Sequence, residues 1–348
     1  MRNNIMSEQK NIYGLISKHR SELMGVAIII VMLFHLDFNI DRFPFSLINY
    51  PITICGSIGV DIFLLVSGFG LYLSLQKNND FISYFKKRLI RILPAYYPVI
   101  SVYVVIYALR GQASYLDFLS NFTLTSWWID RDLQFNWYVQ VIPFFYLLAV
   151  PFAYFFRNSR NYFKTYFLLS LLIVVFNVPF MYTNKYQAFA RFPIFIWGMM
   201  YGALYKQGDE KQNKNSMCLK FVTWVLLFSI GVLGILYFFR SNKVYSHSYD
   251  LVIDYLYQML IPLLFWVCCF SVDWLKKNMW GGRICIVLRW IGEASFEIYL
   301  LHLLILMIRP DFAETYNWIR FLLIAIFCSL GILYHKVMQS VVANVVKR

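Results

Sequence analysis

Apolar residues fill this chain in long blocks, and polar residues gather between the blocks far more than within them. A helix needs about 17 to 25 predominantly apolar residues to cross a hydrocarbon layer roughly 30 Å thick. Ten blocks meet that length, over about 21–39, 52–75, 92–109, 136–156, 164–182, 188–205, 219–239, 250–272, 284–307 and 318–340. The pattern predicts an all-α integral membrane protein with about ten transmembrane helices, and an even number of crossings leaves both termini on one face. One domain is expected: a segment over 1–20, the transmembrane domain over 21–340 and a tail over 341–348, with no fixed-period repeat or low-complexity tract to divide it.

Composition removes the main alternative. Of 348 residues 60% are hydrophobic and 14% charged, and the mean hydropathy of +0.56 excludes an ordinary soluble globule. Aromatic residues make up 20%, which suits lipid-facing helices with interfacial belts.

Charge sets the orientation. The net charge of +14 would raise nucleic acid as a partner of a soluble protein, but here the basic residues sort by loop. Connections carrying Lys77, Lys86, Lys87, Arg88 and Arg91, then Arg157, Arg160 and Lys164, then Lys206, Lys211, Lys214 and Lys220, then Lys276, Lys277, Arg283 and Arg289 alternate with poor ones. The poor connections, with Arg110, Arg131 and Arg191 among their members, hold nine of the 32 Lys and Arg. Cytoplasmic loops collect Lys and Arg. Both termini are therefore expected in the cytoplasm of a multi-pass protein of the cell membrane, with lipid as a partner and nucleic acid not. The longest outer connection, Arg110 to Phe135, is the one large enough to shape an outer vestibule.

Six cysteines in apolar settings do not make a disulfide framework, and no His/Cys cluster points to a metal. The first apolar run starts after residue 20 and shows no small-residue cleavage site. It reads as a retained first span rather than a signal peptide.

Ionisable groups inside spans cost several kcal/mol unless they face a polar interior. The candidates are His35 in span 1, Asp61 in span 2, and Glu293, Glu297 and His302 in span 9. At the helical rise, His35 lies about 22 Å beyond Arg20 and Asp61 about 14 Å below the outer surface. Glu297 and His302 fall in the last turns of span 9, so four polar groups converge on one layer. A histidine beside a carboxylate in a water-poor cavity can act as a general base, the carboxylate fixing its tautomer. The plainer reading is a helix-to-helix hydrogen bond; Glu293 near the inner end reads as structural.

Small residues at 56, 57, 59, 67 and 68, including Ser67, permit close backbone approach in span 2. Lys86, Lys87, Arg88 and Arg91 form a cationic patch just before Pro94. Such a patch anchors lipid headgroups, or it grips a phosphate-rich ligand through forked arginine hydrogen bonds.

Several runs together resemble a known family. They are Met24-Gly25-Val26-Ala27 leading to Phe34-His35, Gly59-Val60-Asp61-Ile62-Phe63 to Ser67-Gly68-Phe69, and Phe85-Lys86-Lys87-Arg88-Leu89-Ile90-Arg91-Ile92-Leu93-Pro94. Further on come Asn136-Trp137-Tyr138, Arg191-Phe192-Pro193-Ile194-Phe195 with Gly198, and Ser295-Phe296-Glu297-Ile298-Tyr299-Leu300-Leu301-His302. In order and spacing they are similar to the membrane-bound acyltransferase 3 family of O-acyltransferases that modify bacterial cell-surface glycans.

That resemblance implies transfer of an acyl group, usually acetyl, from cytoplasmic acyl-CoA to a hydroxyl of an extracytoplasmic cell-surface polysaccharide or lipid-linked sugar. It makes acetyl-CoA the donor substrate, His35 the catalytic histidine and Asp61 its partner, with Glu297 and His302 beside them. Arg88, Arg91, Arg20 and Ser67 become the donor-binding candidates, and Arg191, Trp137 and Tyr138 the acceptor-binding ones. Members commonly carry Arg eleven positions before the histidine, where this chain has Met24; Arg20, one turn earlier on the same face, is the replacement. Direct attack and an acyl-enzyme both stay open. The rival class is a transporter or flippase of glycan precursors, which predicts internal symmetry and helices broken in matching places.

The topology is open to a direct test. A cysteine placed near Asp130 should react with an impermeant thiol reagent added from outside, and one near Lys211 should not. The reverse labelling pattern would invert the direction of acyl delivery.

Overall fold

The computed structural model describes residues 12–36, 46–77, 80–177, 180, 183–207, 247–314 and 317–346. The span expected over 219–239, with Lys211, Lys214, Lys220, Arg240 and Lys243 around it, lies outside the described residues, as do Arg42 and the ends of the terminal segments. Every regular element among the described residues is helical. In chain order they are α1 (Gly14–Lys18), α2 (Arg20–His35), α3 (Ser46–Lys77), α4 (Phe81–Leu109), α5 (Tyr115–Phe122), α6 (Trp137–Arg157) and α7 (Tyr162–Asn177). Then follow α8 (Tyr186–Phe189), α9 (Phe192–Gln207), α10 (His247–Leu275), α11 (Met279–Glu293), α12 (Ser295–Ile308) and α13 (Asn317–Val346), with a 3-10 turn over Pro310–Glu314.

Among the described residues four helical segments are long and apolar enough to cross a membrane: Ile58–Lys77, Phe81–Leu109, Trp137–Arg157 and Trp318–Asn344. They match the blocks predicted for spans 2, 3, 4 and 10. The block over 284–307 does not form one straight helix. It falls in α11 and α12, which break at Ala294 and bend by 69°. The physical reason is charge. A straight span would carry Arg289 and Glu293 towards lipid, whereas the bend lets Arg289 donate twice to Glu22 Oε1, at 3.1 and 2.9 Å.

The chain divides into two compact units. The first comprises residues 1–18, 64–74 and 151–271. In it α9 is buried on every side from Phe192 to Leu204, as a helix apolar all round must be. Glycines let backbones meet there: a side chain on Gly198 would strike the backbone of Leu65, and one on Gly68 that of Phe195. Tyr13, Tyr201 and Trp266 close the unit as an aromatic cluster, with the Trp266 indole donating to the Tyr201 hydroxyl at 2.8 Å.

The second unit comprises residues 19–63, 75–150 and 272–348. Its tightest packing joins α2 to α11. A Cβ on Gly292 would meet the Ser21 carbonyl, and one on Gly25 would meet that of Leu288. Small residues at both faces are what permit this approach. Between the helices the Glu22 carboxylate, 1% exposed, is held by Lys276 at 2.7 Å and Arg289 at 2.9 Å. One residue before α2, the His19 ring is fully buried with Nε2 2.9 Å from Asp273 Oδ1. Removing one partner of such a buried pair typically costs about 3 to 5 kcal/mol, so the base of α2 is fixed.

Two glycines of α11 separate packing from helix propensity. Gly292→Ala should lower thermal stability in detergent by an amount equivalent to about 1 to 3 kcal/mol, through overpacking against Ser21. Gly282→Ala meets nothing within 4 Å and should be neutral or stabilising by up to about 1 kcal/mol. Equal shifts in the two melting curves would contradict the close approach.

Candidate active site

The site is built from the C-terminal end of α2 and the middle of α12. α2 is a run of Leu, Ile, Val, Met and Phe that ends on His35. Ser295, Ile298, Tyr299 and His302 lie on neighbouring positions of α12 at the spacing that shares a helix face. His302 is fully buried and His35 half-buried. The two rings meet: His35 Nδ1 is 3.1 Å from His302 Nε2, and the ring centroids are 5.2 Å apart.

Their partners determine the tautomers. His302 Nδ1 lies 2.9 Å from the Ile298 carbonyl oxygen. A carbonyl only accepts, so in the neutral ring Nδ1 carries the proton and Nε2 offers its lone pair. His35 must then donate from Nδ1 into His302 Nε2, and the Val31 carbonyl lies within reach of the same ring for a backbone hydrogen bond. The proton-free nitrogen of His35 is Nε2. A base is thereby prepared at one atom, with no carboxylate in direct contact required to set it.

Asp61 is the partner expected for His35, and the hydrogen bond of His35 Nδ1 runs to His302 Nε2. Asp61 is 1% exposed, and its charge bears on the Tyr138 hydroxyl. Tyr138 in turn packs edge-on against Tyr299, with centroids 5.3 Å apart, and Tyr299 lies 5.5 Å from His302. Asp61 therefore belongs to the same polar neighbourhood, reached through Tyr138 and Tyr299. The Tyr299 hydroxyl donates to Asn136 Oδ1 at 2.7 Å, and that oxygen also accepts from the Tyr138 backbone at 2.8 Å. Asn136-Trp137-Tyr138 thus clamps the helix that carries His302.

Glu297 turns away from this pair. It sits on the flank of α12 that faces α13, where its Oε1 lies 3.1 Å from His335 Nδ1. The ring is off the line of a hydrogen bond to that oxygen, so the contact is electrostatic, and the Gln339 amide holds His335 Nε2 at 2.8 Å. The same stretch of α13 packs on α12 through Gly331, where a Cβ would strike Ile298. Ile298 is the residue whose carbonyl orients His302.

A cationic cluster occupies the other end of α2. Arg20, half-buried, has Arg91, Arg88 and the Tyr146 hydroxyl within electrostatic range. Arg88 lies over the Tyr84 ring at 5.7 Å, and its Nε is a buried donor with no hydrogen-bond partner. Three like charges brought together, one with an unused buried donor, make this cluster a candidate anion site. The structure brings Arg20 within electrostatic range of Arg88 and Arg91. Ser67, half-buried on α3, and Arg191, half-buried just before α9, belong to the first unit.

Sequence reasoning missed Tyr299, Asn136, Tyr146 and His335 as members of the site. His335 lies inside the block predicted for span 10, so the search for ionisable groups within spans would have found it. Tyr299 sits three residues before His302, on its face. Nothing in the sequence places Tyr146 near the arginines.

Among the described residues no group of His, Cys, Asp or Glu could hold a metal ion. A family model described as an acyltransferase domain, of the acyltransferase 3 type, matches residues 23–334. No curated protein and no solved structure matches the chain.

Nitrogen-15 spectra of histidine-labelled protein should show the neutral His35 and His302 rings both protonated at Nδ1. In His302→Phe the His35 resonances should shift. Finding either ring as the Nε2–H form would break the tautomer assignment.

Proposed function

Because the chain belongs to the acyltransferase 3 family, we propose that it carries an acyl group, in the first instance acetyl, from cytoplasmic acyl-CoA to a hydroxyl of an extracytoplasmic cell-surface glycan or lipid-linked sugar. The observation that supports this most is the pair of imidazoles that leaves His35 Nε2 free as a base. An acceptor O–H gives its proton to Nε2. The oxygen attacks the thioester carbonyl carbon, an ester C–O bond forms, and the C–S bond breaks. The CoA thiolate then takes the proton back from His35 and leaves as the thiol. While His35 is protonated, its Nδ1–H points into the lone pair of His302, which stabilises the cation through a charge-assisted hydrogen bond.

The donor binds at the opposite end of α2. Arg20, Arg88 and Arg91 offer three cationic forks to the phosphates of CoA. From Arg20 to His35 the helix rises about 22 Å, a distance of the order of an extended pantetheine arm. Trp137, whose ring packs edge-on against Tyr138 with centroids 5.7 Å apart, supplies an aromatic face for a sugar. Ser67 on the donor side and Arg191 on the acceptor side rest on the sequence resemblance alone. The protein works as a multi-pass enzyme of the cell membrane, its basic loops in the cytoplasm.

Acetyl-CoA titration and labelled-acetyl transfer by the purified protein separate the two ends of the site. Arg20→Gln, Arg88→Gln and Arg91→Gln should each weaken donor binding about ten- to a hundredfold, the worth of one charge-assisted contact. His35→Ala should bind donor normally and transfer nothing. Full transfer by His35→Ala removes the base from the mechanism, and wild-type affinity in all three arginine variants removes the donor site. Mass spectrometry of surface glycans from cells with and without the protein identifies the acceptor.

A further inference from the structure

The connection from Arg110 to Phe135 reads as the longest outer connection, able to shape a vestibule. Its burial pattern is not that of a loop in water. In α5 the polar residues Asp117, Ser120 and Asn121 are buried, whereas Tyr115, Leu116, Phe118 and Leu119 are 76, 57, 44 and 44% exposed. A helix in water turns its apolar face inward. This one turns it outward, against whatever surrounds the protein.

Depth gives the second observation. Phe118 stacks on Phe122 at 4.4 Å and Phe122 on Tyr97 at 5.7 Å. Tyr97 lies twelve residues before the end of α4 at Leu109, about 18 Å along its axis at the helical rise. The Tyr96 hydroxyl reaches the Asn121 carbonyl at 2.9 Å, and that of Tyr103 reaches the Gln134 carbonyl at 3.3 Å. The chain therefore turns back at Gly111, where φ is +71°, and descends along α4. The exposed apolar face of α5 continues the exposed stripe of α4 formed by Tyr97, Val102, Val105 and Leu109.

Irregular backbone at membrane depth is tolerated only where the protein itself satisfies its polar groups. That is what the interior of this segment does. Fully buried Asn121 donates to the carbonyls of Asp117 and Leu133, both at 2.8 Å, and its Oδ1 accepts from Ser126 and from the Phe135 amide, both at 3.1 Å. Gln140 accepts from the Trp127 amide and donates to Ser126, both at 2.7 Å. Only the rim is charged: Arg131 holds Asp117 at 2.8 Å where the helix begins.

We propose that residues 110–135 form a re-entrant segment sunk into the half of the bilayer opposite the Arg88 patch, with the outward face of α5 in contact with lipid acyl chains. The segment ends on Asn136, which holds Tyr299, so the wall of the dyad on this side is set by a lipid-embedded element. This inference stands independently of the reaction catalysed.

Spin labels on single cysteines test it in protein reconstituted into phosphatidylcholine vesicles. Leu116→Cys and Leu119→Cys should be relaxed by oxygen in preference to a water-soluble nickel chelate, as a label at Val105 is, while a label at Asp130 should prefer the chelate. All four positions are surface positions, so each variant can be checked for native elution before labelling, and Tyr115→Cys supplies a further label on the same face. Chelate access at 116 and 119 equal to that at Asp130 would overturn the proposal by placing α5 in water. Protection from both reagents would overturn it equally, because a protein partner would then cover the face.

Discussion

Inside a bilayer a polar group has only the protein to bind, and this constraint organises the second unit from one end to the other. An unpaired donor or charge at that depth costs several kcal/mol, so each polar side chain on α2 and α12 must find a partner on another element. Glu22 draws α11 onto α2 through Lys276 and Arg289. His35 draws α12 onto α2 through His302. Glu297 draws α12 towards α13 through His335. Glycines at 25, 292 and 331 then let the backbones approach closely enough for those partners to meet. The apolar residues provide length and lipid compatibility; the few polar ones decide which helices are neighbours.

The bend at Ala294 follows from the same rule. α11 carries Arg283 and Arg289 with exposed Trp280 and Trp290, the mixture found where a helix meets a polar interface. α12 carries no basic residue other than His302. A single straight helix cannot satisfy both environments, and a 69° bend separates them. The break also frees α12 to approach α2 on its own line, which brings His302 to His35 while α11 packs lower on the same helix.

How much of this could be read beforehand depends on whether a feature is local. Helix length and class are local, and the apolar blocks over 92–109, 136–156 and 318–340 foreshadow α4, α6 and α13. Depth is nearly local too, because a constant rise per residue places His35 and His302 in one layer. Azimuth is not. Nothing in the rise tells which way a side chain faces around its helix, and so the sequence does not reveal that His302, 267 residues away, meets His35 Nδ1. The bend at 294 escaped for a related reason: apolar content measures whether a segment suits lipid, not whether its axis is straight. Glu22 had no assigned role and Arg289 counted only as a basic residue of an inner connection, because each becomes intelligible as a structural partner only beside the other.

The choice of a second histidine over a carboxylate as the immediate partner of His35 has its own logic. A carboxylate in contact with the ring would bury a full negative charge in the resting protein, at a desolvation cost that a neutral imidazole does not incur. Two neutral rings joined by one hydrogen bond leave the pair itself uncharged, and charge develops on it only when His35 accepts a proton. The stabilisation is then concentrated on the protonated form, the one passed through during transfer, and little of it is lost in binding the ground state. Orientation still has to come from somewhere, and here it comes from backbone. The Ile298 carbonyl fixes His302, Gly331 presses α13 against Ile298, and His335 and Gln339 anchor that helix face through Glu297. The role that a carboxylate plays in a hydrolase triad is thus divided: an imidazole accepts the hydrogen bond, and a packed helix pair holds that imidazole in place.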